Sequence, residues 1–536
     1  MPSRLESVYA LGGRASAPRF TFRVLTWLLM ALVILAASRR AAADTNSTSD
    51  SVAALRQLVE QQSRQLEELK KKVRVLEERE EQREAAPSDQ RLPAIVIDTN
   101  GAPLGTLTSS DTTSRSVDLS AKPLPMISAG AEGFTFRSAD TNFVLTMHGL
   151  VQADSRTFFK DNPLSQGNDG FVLRRARPIL EGTLFRDCDF LLVPDFGYLS
   201  FLLYDANITY HFAPWCQLAA GKFKGPVGLE QLQTDVAAPL NERSLASDFI
   251  PLRNLGVQLS GEFGDDMVSW AAGIYDQDGD NRLPANTPFS NDLEFGGRLF
   301  FQPFIQAPAN WLHGLGVGVG GTYSEVSSNS AALPATLGGT LPGYLSTGQQ
   351  QFFAYNPLLG PVVANGPHSR VSPEAYYYVG PFGVQGEYIF DQQEVLNDFT
   401  MRSARLNDDA WQVTAQWMLT GEHASFNAIT PTHPFDLRAG QWGAWQLVAR
   451  CSELDIDKKT FKGFSDPATS AQSAAAWSVG LNWWLNANVR WMVSFSHTTF
   501  VGGGGVNYLI PSTTAPPATV THQDESVLFT RIQIAF

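Results

Sequence analysis

The sequence predicts an all-β fold, a transmembrane antiparallel β-barrel, preceded by a short N-terminal α-helical coiled coil. Three observations carry this. Apolar and polar residues alternate with a period of two through many segments of about ten residues. No run of about twenty apolar residues follows residue 43, so a chain that spans a bilayer must close into a barrel that pairs every backbone N–H and C=O between strands. A repeat of seven rather than two runs through residues 51–84.

Composition points the same way. The 536 residues are 43% hydrophobic and only 17% charged, too few charges for an ordinary soluble surface. The 34 Phe and 12 Trp suit an exterior that faces lipid. A net charge of −13 excludes a nucleic-acid partner, because binding a phosphate backbone needs a basic surface that releases counterions. Cys188, Cys216 and Cys451 are odd in number and widely spaced, which fits neither a zinc site nor a disulfide framework. They read as packing residues, with a Cys188–Cys216 bridge as the minor alternative.

Residues 1–43 read as a secretory signal peptide: Arg4, Arg14, Arg19 and Arg23 precede an apolar stretch from Val24 to Ala37, and Ala41-Ala42-Ala43 precede Asp44. A retained anchor would need a longer apolar core. In 51–84, Val52, Val59, Leu66 and Val73 take the a positions, with Leu55, Gln62, Leu69 and Leu76 at d. A helix this short is marginal alone in water, so it gains its stability by self-association, and Val at a with Leu at d leans towards two strands. Residues 85–125 turn to Pro, Ser, Thr and Asp and read as a flexible linker. The barrel is expected over 130–536.

Asn142 to Asp154 shows the period-two pattern: Phe143, Leu145, Met147, Val151 and Ala153 on one face, Thr146, His148, Gln152 and Asp154 on the other. Comparable segments start near Phe171, Ser200, Gln217, Gly256, Met267, Asp292, Gly314, Tyr376, Val384, Ala410, Ala444, Ser478, Val489 and Ser526. In the last of them Leu528, Thr530, Ile532, Ile534 and Phe536 share a face. Tight turns at 380–383 and 485–488 contrast with long connections at 324–373, 424–439 and 502–524. Short turns at one end and long loops at the other are expected of a pore-forming barrel.

From Phe171 onward the reading becomes specific. Leu173-Arg174-Arg175-Ala176-Arg177, then Glu181-Gly182 and Phe185, resembles the double-arginine strand of the phosphate-selective porin O/P family. Further segments resemble it in order, among them Gly221-Lys222-Phe223-Lys224 with Gly228-Leu229-Glu230, Asn241-Glu242-Arg243-Ser244, Trp270-Ala271-Ala272-Gly273-Ile274-Tyr275 and Gly480-Leu481-Asn482-Trp483-Trp484. The resemblance runs from about Phe134 to Phe536. It implies a barrel of about 16 strands in the bacterial outer membrane, a homotrimer, and a constriction loop folded into the lumen, here Gln231 to Asn254. It also implies passive diffusion of small anions such as phosphate; the coiled coil is expected to project into the periplasm, with the cell wall as a partner in the tether reading.

An anion pore needs fixed positive charge at its narrow point, where a guanidinium about 4 Å from a phosphate oxygen gains roughly 4 kcal/mol at an effective dielectric near 20. The candidate anion-binding residues are Arg174, Arg175, Arg177, Lys222, Lys224 and Arg243. Alternation gives Arg175 and Arg177 one face, shared with Glu181 and Thr183, so Arg174 points outwards unless a bulge turns it. Where the resemblance places an arginine in the first long strand and a lysine after Gly-Leu-Glu, this chain has Leu150 and Gln231. His211, Arg490 and Arg531 read as solvated wall residues. The glycine pattern Gly316-x-Gly318-x-x-Gly321 alternates with Leu315, Val317 and Val319 as one strand face, outside any βαβ context. The sequence has no legible catalytic, metal or cofactor motif, so the chain is not expected to be an enzyme. The competing readings are a general porin for small hydrophilic solutes and a barrel-anchored tether of the cell envelope.

Overall fold

The computed structural model describes residues 125–159, 167–197, 201–276, 292–307, 310–327, 341–355, 360–467, 469–502 and 524–536. The expected signal peptide, the coiled coil and the linker as far as residue 124 lie outside them.

A hairpin of β1 (Met126–Gly130) and β2 (Gly133–Arg137) leads into β3 (Phe143–Phe158), β4 (Gly170–Leu184), β5 (Cys188–Asp195), β6 (Leu202–Ala213) and β7 (Cys216–Phe223). Then come β8 (Asn254–Phe263), β9 (Val268–Asp276), β10 (Leu293–Phe301) and β11 (Leu315–Ser327). A small hairpin, β12 (Tyr344–Leu345) and β13 (Gln351–Phe353), precedes β14 (Val362–Val379), β15 (Phe382–Asn397), β16 (Arg402–Met418) and β17 (Ala444–Asp455). The chain ends with β18 (Ser473–Trp484), β19 (Val489–Val501) and β20 (Glu525–Ala535).

Sixteen of these strands form one closed antiparallel ring, each paired with its neighbour in sequence and β20 paired with β3. At the seam Ile532 faces Ala153 and Ile534 faces Val151, and the Phe536 and Gly149 backbones exchange hydrogen bonds of 2.7 and 3.0 Å. Closure leaves no open edge in the ring, as a bilayer requires, while the β1–β2 hairpin is added on the start of β3, with β1 paired to β2. Period two then sorts the side chains: on β16 Asp408, Ala410, Gln412, Thr414 and Gln416 are buried inside while Val413 and Trp417 are exposed outside.

Three details differ from the sequence reading. Strand β5 was not anticipated, because Leu191 and Val193 replace polar residues on its inner face and blur the alternation. The connection expected over 324–373 is shorter, since β14 already begins at Val362 and holds Ser372 and Glu374 in the lumen. The long connection 419–443 leaves β16 at the end where 380–381 and 485–488 make tight turns, so it emerges among the short turns. Its backbone is held there by Ala424 N–H on Gly380 O and Phe435 N–H on Leu485 O.

The barrel has an apolar core of its own inside the lumen. Leu245, Phe249 and Ile250 of the 224–253 connection pack with Tyr344, Phe352 and Phe353 of the β12–β13 hairpin. The facing wall supplies Ile389 and Leu454, and the small Ala410, Ala474 and Ala476 make room. Each large side chain buried this way contributes about 1.5–3 kcal/mol.

Candidate pore and its constriction

The connection between β7 and β8 folds into the lumen and touches wall strands all round. A short helix, α1 (Leu229–Leu232), aims the backbone N–H groups of Leu229 and Glu230 at the Glu387 carboxylate of β15, at 2.6 and 3.1 Å. Gln152 and Gln533 donate to the carbonyls of Asp235 and Val236. Asn482 donates to Pro239 O at 2.8 Å, and Ser494 to the Asn241 side chain at 2.7 Å. Glu230 accepts from Ser244 and Ser247 and pairs with Arg450 at 2.8 Å. Where the loop returns, Arg253 grips Asp205 with two hydrogen bonds of 2.6 and 3.0 Å.

Sequence alternation left Arg174 ambiguous, and a β-bulge resolves it. Gln152 pairs with Arg175 and Ala153 with Leu173, so Arg174 is the extra residue. Its guanidinium makes a bidentate pair with Glu242 of the loop, at 2.8 and 3.0 Å. A bulge is preferable to placing an arginine in lipid, which costs about 2–4 kcal/mol at midplane. Gly197 allows this geometry: a Cβ there would stand 2.7 Å from the Arg175 Cα and 2.8 Å from the Arg174 O.

The other candidates are anchored as well. Arg175 donates to Gln152 at 2.6 Å and lies 3.1 Å from Asp235. Arg177 donates to Asp195 at 2.6 Å and also to Asp235. Arg243 pairs with Asp235 at 3.0 Å and donates to the carbonyls of Glu230 and Gln233. The Lys224 ammonium donates to the carbonyls of Leu232 and Gln233, at 3.2 and 2.8 Å. Lys222 pairs with Ala206 and Leu255 and is only 5% exposed.

Two loop carboxylates, Asp235 and Glu242, gather these arginines. Burial pushes the Asp235 carboxyl up, but Arg175, Arg243 and Arg177 hold it well below the usual carboxylate range. Burial likewise opposes ionisation of Glu242, and Arg174, Arg156 and Arg531 overcome it. The Tyr204 ring lies between the guanidinium groups of Arg177 and Arg253, 3.6 and 4.1 Å from its centre.

The lumen is electrically two-sided. Around the loop and the walls of β3–β6 and β17–β20 stand Arg156, Arg174, Arg175, Arg177, Arg243, Arg253, Arg450, Arg490 and Arg531. They exceed by one the carboxylates among them, Asp154, Asp195, Asp205, Glu230, Asp235, Glu242, Asp248 and Glu525. On β10 and β14–β16 the balance reverses: Glu294, Glu374, Glu387, Asp391 and Asp408 face Arg298, Arg370 and His368. Charges arranged this way set a transverse field.

The model of the phosphate-selective porin O and P family matches residues 145–500, which holds the bulged strand, the lumen loop and most of the ring. The chain belongs to this family. A comparison with curated proteins finds no match.

Among solved structures, the outer-membrane channel DcaP of Acinetobacter baumannii resembles this porin with a TM-score of 0.47 at 10% identity, covering 76% of this chain and 100% of that one. OmpT of Vibrio cholerae gives 0.42 at 10%, covering 74% and 98%. OmpF of Salmonella typhi, in complex with daunomycin, gives 0.43 at 13%, covering 74% and 98%.

The porin is an outer-membrane channel, and its short-turn end is periplasmic. Two inward folds of this channel escaped the sequence reading. From the extracellular end, the β12–β13 hairpin reaches the loop through Leu345 N–H on Asp248 at 2.7 Å. It reaches the wall through Ser346 and Gly348 on Glu525, both at 2.9 Å. From the periplasmic end, residues 424–429 enter the mouth of the barrel, where Phe426 stacks on Tyr376 and its carbonyl accepts from Gln233 at 2.6 Å. Gly316 and Gly318 of the glycine pattern leave room for the Phe300 and Tyr376 rings, on which any Cβ would collide. His211 pairs with Asp189 at 2.8 Å on the exposed periplasmic part of the wall.

Proposed function

We propose that this outer-membrane channel gives passive diffusion to phosphate or similar small anions, through a lumen partly lined by Arg174, Arg175, Arg177 and Arg243, with Lys224 beside them. The observation that carries the reading is the excess of guanidinium over carboxylate where the loop narrows the lumen. Carboxylates on the same path weaken each cation, so a passing anion meets moderate sites in file rather than one deep trap, which favours release. Titrating phosphate against the chloride current of the purified channel in a planar bilayer tests this. Block of the chloride current is expected, and an unblocked current would remove the phosphate reading.

A general porin for small hydrophilic solutes is the second reading, favoured by Leu150 and Gln231. Leu150 is buried in β3 against the position of Arg177, and Gln231 donates to Leu252 O. Neither offers the cation that the family resemblance places there.

The channel is further proposed to be a homotrimer. Strands β5 and β7 have eight residues each, and at about 3.3 Å per residue with a tilt near 40° they rise only about 20 Å, short of an apolar band of about 25 Å. Neighbouring subunits would cover this low wall, where Phe196, Phe201 and Phe212 are exposed. The coiled coil is proposed to stand in the periplasm and to reach the cell wall.

A further inference from the structure

Arg490 stands apart from every other buried arginine of the lumen. It is the second residue of β19 and lies across from Trp484 on β18 and Gln533 on β20, next to the periplasmic turn 485–488. The residue is only 1% exposed. Its guanidinium sits over the Trp484 ring, 4.3 Å from the centre, and Nη2 donates to Gln533 Oε1 at 3.1 Å. That oxygen also accepts from Gln152 at 2.7 Å, while the Gln533 amide is spent on Val236 O. Nε and Nη1 of Arg490 are buried and meet no hydrogen-bond acceptor among the described residues.

Charge points the same way as the unmet donors. Arg156, Arg174, Arg175, Arg177, Arg450 and Arg531 each have a carboxylate within ion-pair distance. Among the described residues no carboxylate pairs with Arg490, and the charge that acts on it is that of Arg531, of the same sign. An isolated cation in a low-dielectric interior is costly, and the cost is met by a counter-ion with acceptor lone pairs. The glutamine and the indole orient the guanidinium but neutralise nothing. The group that fits is compact, negatively charged and able to accept from two N–H groups.

We propose that Arg490, stacked on Trp484, holds a small inorganic anion, of the chloride or hydrogen phosphate kind, at its Nε and Nη1 edge at the periplasmic end of the lumen. The site rests on the anion-channel reading only in drawing its occupant from the permeating pool. It is a resident counter-ion position whose occupancy stabilises the barrel, with Trp484 as the backing that keeps the guanidinium in place.

The test is the urea unfolding midpoint of the whole detergent-solubilised channel, first in potassium gluconate and then with inorganic phosphate or chloride added. Phosphate at about a hundred times its dissociation constant is expected to raise the folding equilibrium constant of the unmodified protein about a hundredfold. Arg490→Met should show no such rise, and Arg490→Lys a weaker one. Heat-modifiable gel migration confirms that each variant forms the barrel. An equal rise in Arg490→Met, or no rise in the unmodified protein, would overturn the site. An anion-selective channel whose stability ignores Arg490 sinks this inference and leaves the functional reading intact. A channel without anion preference that still shows Arg490-dependent stabilisation does the reverse.

Discussion

Arg177 of the wall donates to Asp235 of the lumen loop while its Nε holds Asp195 at 2.6 Å. One guanidinium therefore fastens the constriction to the barrel, and the two carboxylates that fix it also dilute its charge.

Replacing Arg177 with Ala leaves both carboxylates short of a partner in a buried setting. Breaking such a pair costs about 3 kcal/mol or more. The expected result is a lower unfolding midpoint together with a noisier single-channel current, because among the described residues Asp235 then keeps ion pairs with Arg175 and Arg243 and none with wall residue 177. A quiet channel of unchanged stability would show that Arg177 does not secure the loop.

Gly197→Ala tests the bulge. Its new Cβ would meet the Arg174 and Arg175 backbone at 2.8 and 2.7 Å, and overpacking of this kind costs about 1–3 kcal/mol. The shifted backbone should break the bidentate Arg174–Glu242 pair and lower anion preference measured from the reversal potential.

Acid should release the loop late. The folded-state carboxyls of Asp235 and Glu242 are depressed, so their contribution is present above the unfolded value near 4 and is lost only as pH falls through the lower folded values. The part of the stability that depends on Asp235 and Glu242, read as the difference between the protein and its Asp235→Asn and Glu242→Gln variants, should stay constant from pH 7 down to about 4 and fall below it. A transition near pH 5 would mean that these groups are not held by the arginines.

Glu525→Ala removes the acceptor for Ser346 and Gly348. Freed from the wall, the β12–β13 hairpin is expected to leave the extracellular mouth more open. Conductance should rise while barrel stability changes little, since Phe352 and Phe353 remain in the lumen core.

The wall was legible in the sequence because period two is enforced by lipid on one side and the lumen on the other, as along β16. It faded where the lumen itself turns apolar, at Leu191 and Val193. The arginines of the bulged strand could be read as a group, but the side chosen by Arg174 depends on one extra residue in the register. The partners Asp235 and Glu242 were not readable, because a loop carboxylate shows nothing locally of which wall it will meet. The same holds for Tyr344, Phe353 and Phe426, whose contacts lie far away in the chain. Arg490 looked like one more solvated arginine until the ring closed around it.

The reversal potential of the unmodified channel under a potassium chloride gradient tests the central claim most directly. An excess of guanidinium around the loop predicts a potential displaced towards the chloride equilibrium value, and more strongly at low salt, where screening is weak. A potential displaced towards the potassium value would contradict it.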